Sequence, residues 1–313
     1  MSTLVVESPG LLTTVQDLGR AGFGPLGVSP SGAADPVALR LGNLLVGNEP
    51  GAAALEMTLL GGTFAFPAGA VIALVGGDFG AALNGRHVEM WTTLVVPPGE
   101  KLSLGPTRNF ARCYLAVAGG IQVKAFLGSA STHLLSGLGG HEGRALRKGD
   151  VLRLGTPQSK VRERTISRAV LLRLKPRKIL RVTDGPQSHH FSEEAKQVFF
   201  RSTFRVSEES DRLGLRLGGP PLAFPNAGEM ITEGAPLGAI QITPSGQPII
   251  LFVDQQTTGG YPKIANVIGV DLHRVGQLRP RADIRFERTA LAVARSLWIE
   301  QEGLLNGREQ LFA

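Results

Sequence analysis

The chain has 313 residues, 42% of them hydrophobic and 19% charged, which excludes a disordered polyelectrolyte and leaves room for two cores. With Gly at 41 and Pro at 20 positions, many short strands joined by tight turns are expected. The net charge of +7 is not a nucleic-acid signature: ten basic residues between Arg153 and Arg181 face one acidic residue, Glu163, and this stretch has no aromatic ring to stack on a base.

The opening Met1-Ser2-Thr3-Leu4-Val5-Val6-Glu7 lacks a basic region followed by an apolar one, and the most apolar run, Ala68 to Gly77, is far shorter than a bilayer span. A single cysteine, Cys113, allows no intrachain disulfide, so a soluble cytoplasmic protein is expected, with neither nucleic acid nor membrane as partner. Leu4-Val5-Val6 reads as a first strand, and Thr14-Val15-Gln16-Asp17-Leu18-Gly19-Arg20 as a polar loop bounded by glycine. Gly22-Phe23-Gly24-Pro25-Leu26-Gly27 has dinucleotide-fingerprint spacing, but Pro25 interrupts it and no strand-to-helix context surrounds it. No P-loop sequence occurs, so ATP, if used, is not held in that way.

Asp35 as N-cap, Pro36 at the first helical position and an apolar stripe of Val37, Leu41, Leu44 and Leu45 predict a short helix ending at Gly47. Phe110 to Val117 alternates, with Cys113, Leu115 and Val117 on one face and Arg112 and Tyr114 on the other. Cys113 is then a buried small hydrophobe rather than a nucleophile. Gly128-Ser129-Ala130-Ser131-Thr132 is a hydroxyl-rich structural turn, and the six histidines show no zinc spacing. Turn-plus-strand units at Pro98 to Leu104, Lys148 to Leu154 and Pro280 to Phe286 suit closed or nearly closed antiparallel barrels. The apolar run Pro248 to Val253 leads into Asp254-Gln255-Gln256-Thr257-Thr258-Gly259-Gly260-Tyr261-Pro262-Lys263. Its hydroxyls, exposed backbone N–H groups, ring and lysine suit a carboxylate, carbonyl or phosphate. Ala290 to Leu305 reads as a terminal helix with Leu291, Ala294, Leu297 and Trp298 on one side.

An internal repeat organises these elements. Asp35 to Gly42 and Asp211 to Gly218 share five of eight residues, including Leu-Arg-Leu-Gly, and a helix is expected in both halves. Glu56, Leu60, Gly61, Pro67, Gly69, Ile72 and Leu74 fall on Glu233, Leu237, Gly238, Pro244, Gly246, Ile249 and Leu251, all 177 apart, as do Val5 and Pro9 on Val182 and Pro186. The halves therefore start near residues 3 and 179.

Thr14 to Arg20, Gly27-Val28 through Asp35, Gly47-Asn48, Leu55 to Thr58, Tyr114 to Gly120, Gly128 to Thr132, Gly140 with Gly143-Arg144, Ser210 to Gly214 and Gln256 to Ala265 lie in order along nearly the whole chain. Through them the sequence resembles the allophanate hydrolase subunit 2, or biotin-dependent carboxyltransferase, family. The resemblance implies a mainly-β fold of two tandem cyclophilin-like β-barrel domains from an internal duplication, with short helices and a C-terminal helix. Domains at 1–155 and 179–313, joined by a basic linker at 156–178, are expected.

It also implies work as the C-type subunit of an ATP-dependent 5-oxoprolinase, inactive alone, with a smaller related subunit of B type and a third of A type, opening a small lactam or amide. ATP then belongs to the complex and is held either here or by a partner. By motif position Lys263, Asp17 and Glu56 would be catalytic. Gln16, Arg20, Gln256, Thr257, Thr258, Gly259, Gly260 and Tyr261 would bind substrate, with no metal. The alternatives are half of a biotin-dependent carboxyltransferase of urea carboxylase type, with biotin on a separate carrier, or a regulator that binds a kinase-inhibitor partner. Two departures stand out: His133 where an acidic or aromatic residue is usual, and Arg281 in place of a glycine after Pro280.

Overall fold

The computed structural model describes residues 2–157, 161–175, 177–223 and 230–313. The chain is mainly β and forms two compact units: Met1–Arg20, Ser31–Leu174 and Gly307–Ala313 in the first, Ala21–Pro30 and Lys175–Asn306 in the second. Each unit thus contains a short piece distant in sequence from its bulk. In the first, Ser167 N–H donates to the Leu311 carbonyl at 2.8 Å and Ala313 N–H to that of Thr165 at 2.9 Å, and the Arg164 guanidinium covers the Phe312 ring at 4.7 Å. In the second, the Ser29 hydroxyl donates to the Val253 carbonyl at 3.2 Å. Residues 168–174 of the basic stretch form a helix.

The first unit is built from a seven-stranded and a five-stranded sheet. The five-stranded sheet runs Leu12–Gln16, Ala54–Thr58, Arg112–Val117, Ala70–Gly76, Thr93–Val96, each strand antiparallel to its neighbours. Leu4, Val6, Phe64 and Leu102 of the larger sheet and Val15, Leu55, Leu74, Cys113 and Leu115 of the smaller meet in one core. Cys113 lies inside it, and burial pushes its thiol pKa up, so it is an inert packing group. The opposite face of Arg112–Val117 is buried as well, because the helix Pro36–Leu45 lies over this strand and Ala70–Gly76. A Cβ on its Gly42 would come within 2.8 Å of Val75 Cγ2. Asp35 caps that helix by accepting from Ala38 N–H at 2.8 Å, with Pro36 at its first turn.

The second unit is a closed barrel in the order Ile179–Asp184, Lys263–Val267, Ala239–Ile242, Pro248–Leu251, Gly214–Gly218, Phe204–Val206, Asp283–Arg288. All pairings are antiparallel except the closing one, between Ile179–Asp184 and Asp283–Arg288. The helix Glu193–Arg201 packs on this closing strand, with Phe199 stacked on Phe286 at 4.5 Å between centroids. The terminal helix is Leu291–Asn306. Its buried side differs from the expected one: Ala294, Gln301, Leu304 and Leu305 are buried, while Leu291 and Trp298 are exposed. Among the described residues no helix is long and apolar enough to cross a membrane.

The repeat is visible in the strands. Val5 and Val182 lie in the first strand of each unit, Thr3–Ser8 and Ile179–Asp184. Gly69 and Gly246 both take a left-handed φ, +72° and +78°, just before the strands carrying Ile72 and Ile249. One expectation is corrected. Leu-Arg-Leu-Gly lies in a helix in the first unit but in the strand Gly214–Gly218 in the second. Asp211 there accepts from the Leu213 and Gly214 N–H groups, folding a turn instead of capping a helix.

The turns before Lys101–Ser103 and Val151–Leu154 use Gly99 and Gly149 at φ +81° and +91°, whereas the one before Asp283–Arg288 uses Arg281 at φ +67°. The missing glycine is thus a strained position. Its ion pair with Glu208 joins two exposed side chains, which contributes little. Arg281→Gly should raise stability by about 0.5–1 kcal/mol, read as a higher urea midpoint.

A further lock is ionic. Arg144 donates two hydrogen bonds to Asp150, at 2.7 and 2.9 Å, and Arg147 N–H a third. The Arg144 hydrogen bonds hold the Asp150 carboxyl down at about 2. A depressed carboxyl stabilises the fold above its unfolded pKa and loses that contribution as pH falls towards its folded value. Asp150→Asn should therefore cost about 2 kcal/mol at pH 7, and the gap in urea midpoint should narrow between pH 5 and pH 3.

Candidate functional site

The polar residues singled out in the sequence fall into three clusters. The first ties the segment Thr14–Arg20, expected as a loop but a strand as far as Gln16, to the hydroxyl-rich turn. Asp17 accepts at Oδ1 from Ser129 Oγ (2.6 Å), Ser131 Oγ (2.5 Å) and Gly19 N–H (2.7 Å), and at Oδ2 from Ala130 N–H (2.6 Å). Gln16 Nε2 donates to Thr14 Oγ1 and to the Thr132 carbonyl, both at 3.1 Å. Arg20 donates to the Ser131 carbonyl and lies over the Phe126 ring at 5.5 Å. With four donors on one carboxylate, Asp17 acts as a staple between two loops.

The second cluster sits under the start of the helix Pro36–Leu45. Glu56 is buried and accepts at Oε2 from Ala34 N–H (2.8 Å) and Tyr114 Oη (2.7 Å), with Arg112 Nε 3.5 Å from Oε1. Tyr114 Oη accepts from Asp35 N–H at 2.7 Å, and burial first, then the Glu56 charge, raises the phenol pKa. His133 lies elsewhere in this unit, buried, its Nδ1 accepting from Ser136 N–H at 3.2 Å.

The third cluster lies in the second unit, around Lys263. This side chain is 1% exposed, and its Nζ lies 2.6 Å from Glu233 Oε1. Gln187 Nε2 donates to the same oxygen at 2.6 Å, while Gln187 Oε1 accepts from Lys263 N–H at 3.2 Å. Hydrogen bonds from Lys263 and Gln187 hold the Glu233 carboxyl below the usual range. Glu233 sits on a two-residue strand, Glu233–Gly234, paired with Thr258–Gly259. Gln241, on the next barrel strand and in register with Lys263, is buried, and its Nε2 has no hydrogen-bond partner among the described residues. A Cβ on Gly259 would come within 2.5 Å of that nitrogen and 3.1 Å of Gln256 Nε2, so any larger residue there would push these amides aside. Gln255 is buried, donates to the Ala235 carbonyl at 2.8 Å and leaves Oε1 without a partner among the described residues. The Thr257 carbonyl accepts from Ala235 N–H at 3.0 Å, and Thr258 and Tyr261 are exposed.

This loop is fixed at its root. Arg212 Nε and Nη2 meet Asp254 Oδ2 and Oδ1 at 2.7 and 3.2 Å, with both side chains buried, and Asp254 N–H donates to the Arg212 carbonyl at 2.8 Å. Arg212→Ala should cost about 3–5 kcal/mol, because it removes the buried counter-charge that Arg212 gives Asp254; urea denaturation of the variant checks this.

Lys263 and the Gln256–Tyr261 loop thus gather in one unit, whereas Gln16, Asp17, Arg20 and Glu56 belong to the other. Glu233, Gln187 and Gln241 were not singled out around Lys263 from the sequence. The repeat carried one signal, since Glu233 is the mate of Glu56 on the 177-residue diagonal.

The sequence matches the family described as carboxyltransferase domain, subdomain A and B, over residues 26–288. It is 41% identical to the C-type subunit of 5-oxoprolinase from Escherichia coli over 93% of both chains, and 36% identical to that of Haemophilus influenzae over 91% of this chain and 90% of the relative. The crystal structure of the Kluyveromyces lactis urea carboxylase superposes with a TM-score of 0.91 at 33% identity, covering 97% of this chain and 29% of that larger one. The chain belongs to the carboxyltransferase domain A and B family.

Proposed function

We propose that this chain is the C-type subunit of an ATP-dependent 5-oxoprolinase, acting with partner subunits of A and B type to open 5-oxo-L-proline to L-glutamate. The observation that carries the proposal is the 41% identity to the E. coli protein over 93% of both chains. The Lys263 cluster supports it. A buried ammonium flanked by amide donors, at the root of a loop rich in N–H and O–H groups, is a site for one small carboxylate and a neighbouring carbonyl. In this reading Lys263 holds the substrate carboxylate, Gln256, Thr257, Thr258, Gly259, Gly260 and Tyr261 shape the mouth, and Gln16, Asp17, Arg20 and Glu56 set the loops of the first unit. In this reading ATP belongs to the complex, held by this chain or by a partner.

The test is co-purification of all three components followed by an ATP-dependent 5-oxoproline assay with and without this chain. Glutamate release only in the complete mixture supports the proposal. A second reading, half of a biotin-dependent carboxyltransferase, is favoured by the urea carboxylase superposition; carboxylation of urea with a biotin carrier in the same assay would decide for it.

A further inference from the structure

The ion pair at Lys263 is lopsided. Lys263 is 1% exposed, whereas the Glu233 side chain is 44% exposed. Two buried pairs of this unit, Arg212 with Asp254 and Arg274 with Asp271, are sealed on both sides, at 7% and 5% and at 5% and 0%. A purely structural bridge has no need to leave one partner at the surface. A buried ammonium does need a counter-charge when nothing else occupies its site.

We propose that Glu233 is an internal stand-in for a ligand carboxylate, neutralising Lys263 in the empty site and swinging out to water when a small carboxylic acid binds. This rests on the reading of Lys263 as the substrate's anion clamp. Three observations carry it. The donors are fixed and the acceptor is not: Lys263 sits within a barrel strand, and Gln187 is oriented by its hydrogen bond from Lys263 N–H, while Glu233 stands on a strand of two residues. Both donors converge at 2.6 Å on one oxygen of Glu233, the arrangement an incoming carboxylate oxygen would inherit. Gln241, in register with Lys263 on the neighbouring strand, keeps a buried Nε2 without a partner among the described residues. An amide N–H left unpaired in the interior is costly, and Glu233 does not satisfy it.

The site therefore offers two donors to an anion and a third to a second acceptor nearby. It suits a compact acid with a carbonyl close to its carboxylate, such as a lactam or acylamino acid. A neutral lactam would meet the Gln241 donor but have no means to displace Glu233.

The test is equilibrium titration of the full-length chain with 5-oxo-L-proline and with the neutral lactam 2-pyrrolidinone. Removing the internal competitor in Glu233→Ala should tighten 5-oxoproline binding about 5- to 10-fold and leave pyrrolidinone binding unchanged. Glu233→Gln, which keeps the hydrogen bonds but not the charge, should shift it the same way by less, and guards against a folding effect of the alanine. If both variants bind the acid no better than the native chain while Lys263→Ala abolishes binding, the stand-in is overturned and the lysine site survives. If Lys263→Ala binds the acid normally, the site itself is wrong and both readings fall.

Discussion

Lys263→Ala should lower kcat/KM for ATP-dependent glutamate release by the assembled complex about 100-fold, with most of the loss in KM. A clamp on a carboxylate remote from the reacting amide binds ground state and transition state alike, so its removal weakens capture more than turnover. The buried position makes the effect large, since an ammonium at 1% exposure is shielded from water. Folding should survive the change. The partner left behind, Glu233, is half exposed and can solvate its charge. Lys263→Arg should not rescue, because a planar guanidinium presents its donors in a different geometry from a compact ammonium. Undiminished glutamate release would remove Lys263 from the mechanism.

Glu56→Ala should be among the most damaging single changes to stability, at about 3–5 kcal/mol. Glu56 is 1% exposed and faces Arg112 at 8%, so its loss removes a buried counter-charge from the guanidinium. It also orphans the Ala34 N–H and the Tyr114 hydroxyl, and with them the turn that places Asp35 as the helix cap. Glu56→Gln keeps an acceptor and should cost about 1–2 kcal/mol. Urea denaturation of the two variants separates charge from hydrogen bonding. A shift below about 1 kcal/mol for alanine would show that the cluster is solvated on opening and is not a structural keystone.

The sequence was most legible where one rule acts alone. Asp35, Pro36 and the apolar stripe after them specify a helix from local chemistry, and that helix forms over Pro36–Leu45. Alternation in Arg112–Val117 assigned its faces correctly, but could not announce that a helix covers the polar one. The Leu-Arg-Leu-Gly string misled, because four shared residues do not decide a conformation that their flanks decide. After Gly42 the apolar period continues through Leu44 and Leu45, whereas Gly218 is followed by Gly219-Pro220-Pro221, and Gly214 already weakens a helix from within. Leu215 and Leu217 then face inward and Arg216 outward, as a strand requires. The Lys263 cluster was half legible. The loop stood out by composition, but Gln187, Glu233 and Gln241 lie 76, 30 and 22 positions away from Lys263, and only tertiary packing brings them to it.

The interleaving of the two units has a consequence for synthesis on the ribosome. The chain passes from one unit to the other after Arg20, Pro30, Leu174 and Asn306. The first unit is therefore incomplete until its last piece, Gly307–Ala313, has been translated, and the second waits with Ala21–Pro30 already made but nothing to fold on. Neither half can be excised by a single cut, and premature termination a few residues early damages the unit made first. A duplication that looks modular in its sequence is thus not modular in its chain path, and each unit depends on pairing segments far apart in the chain.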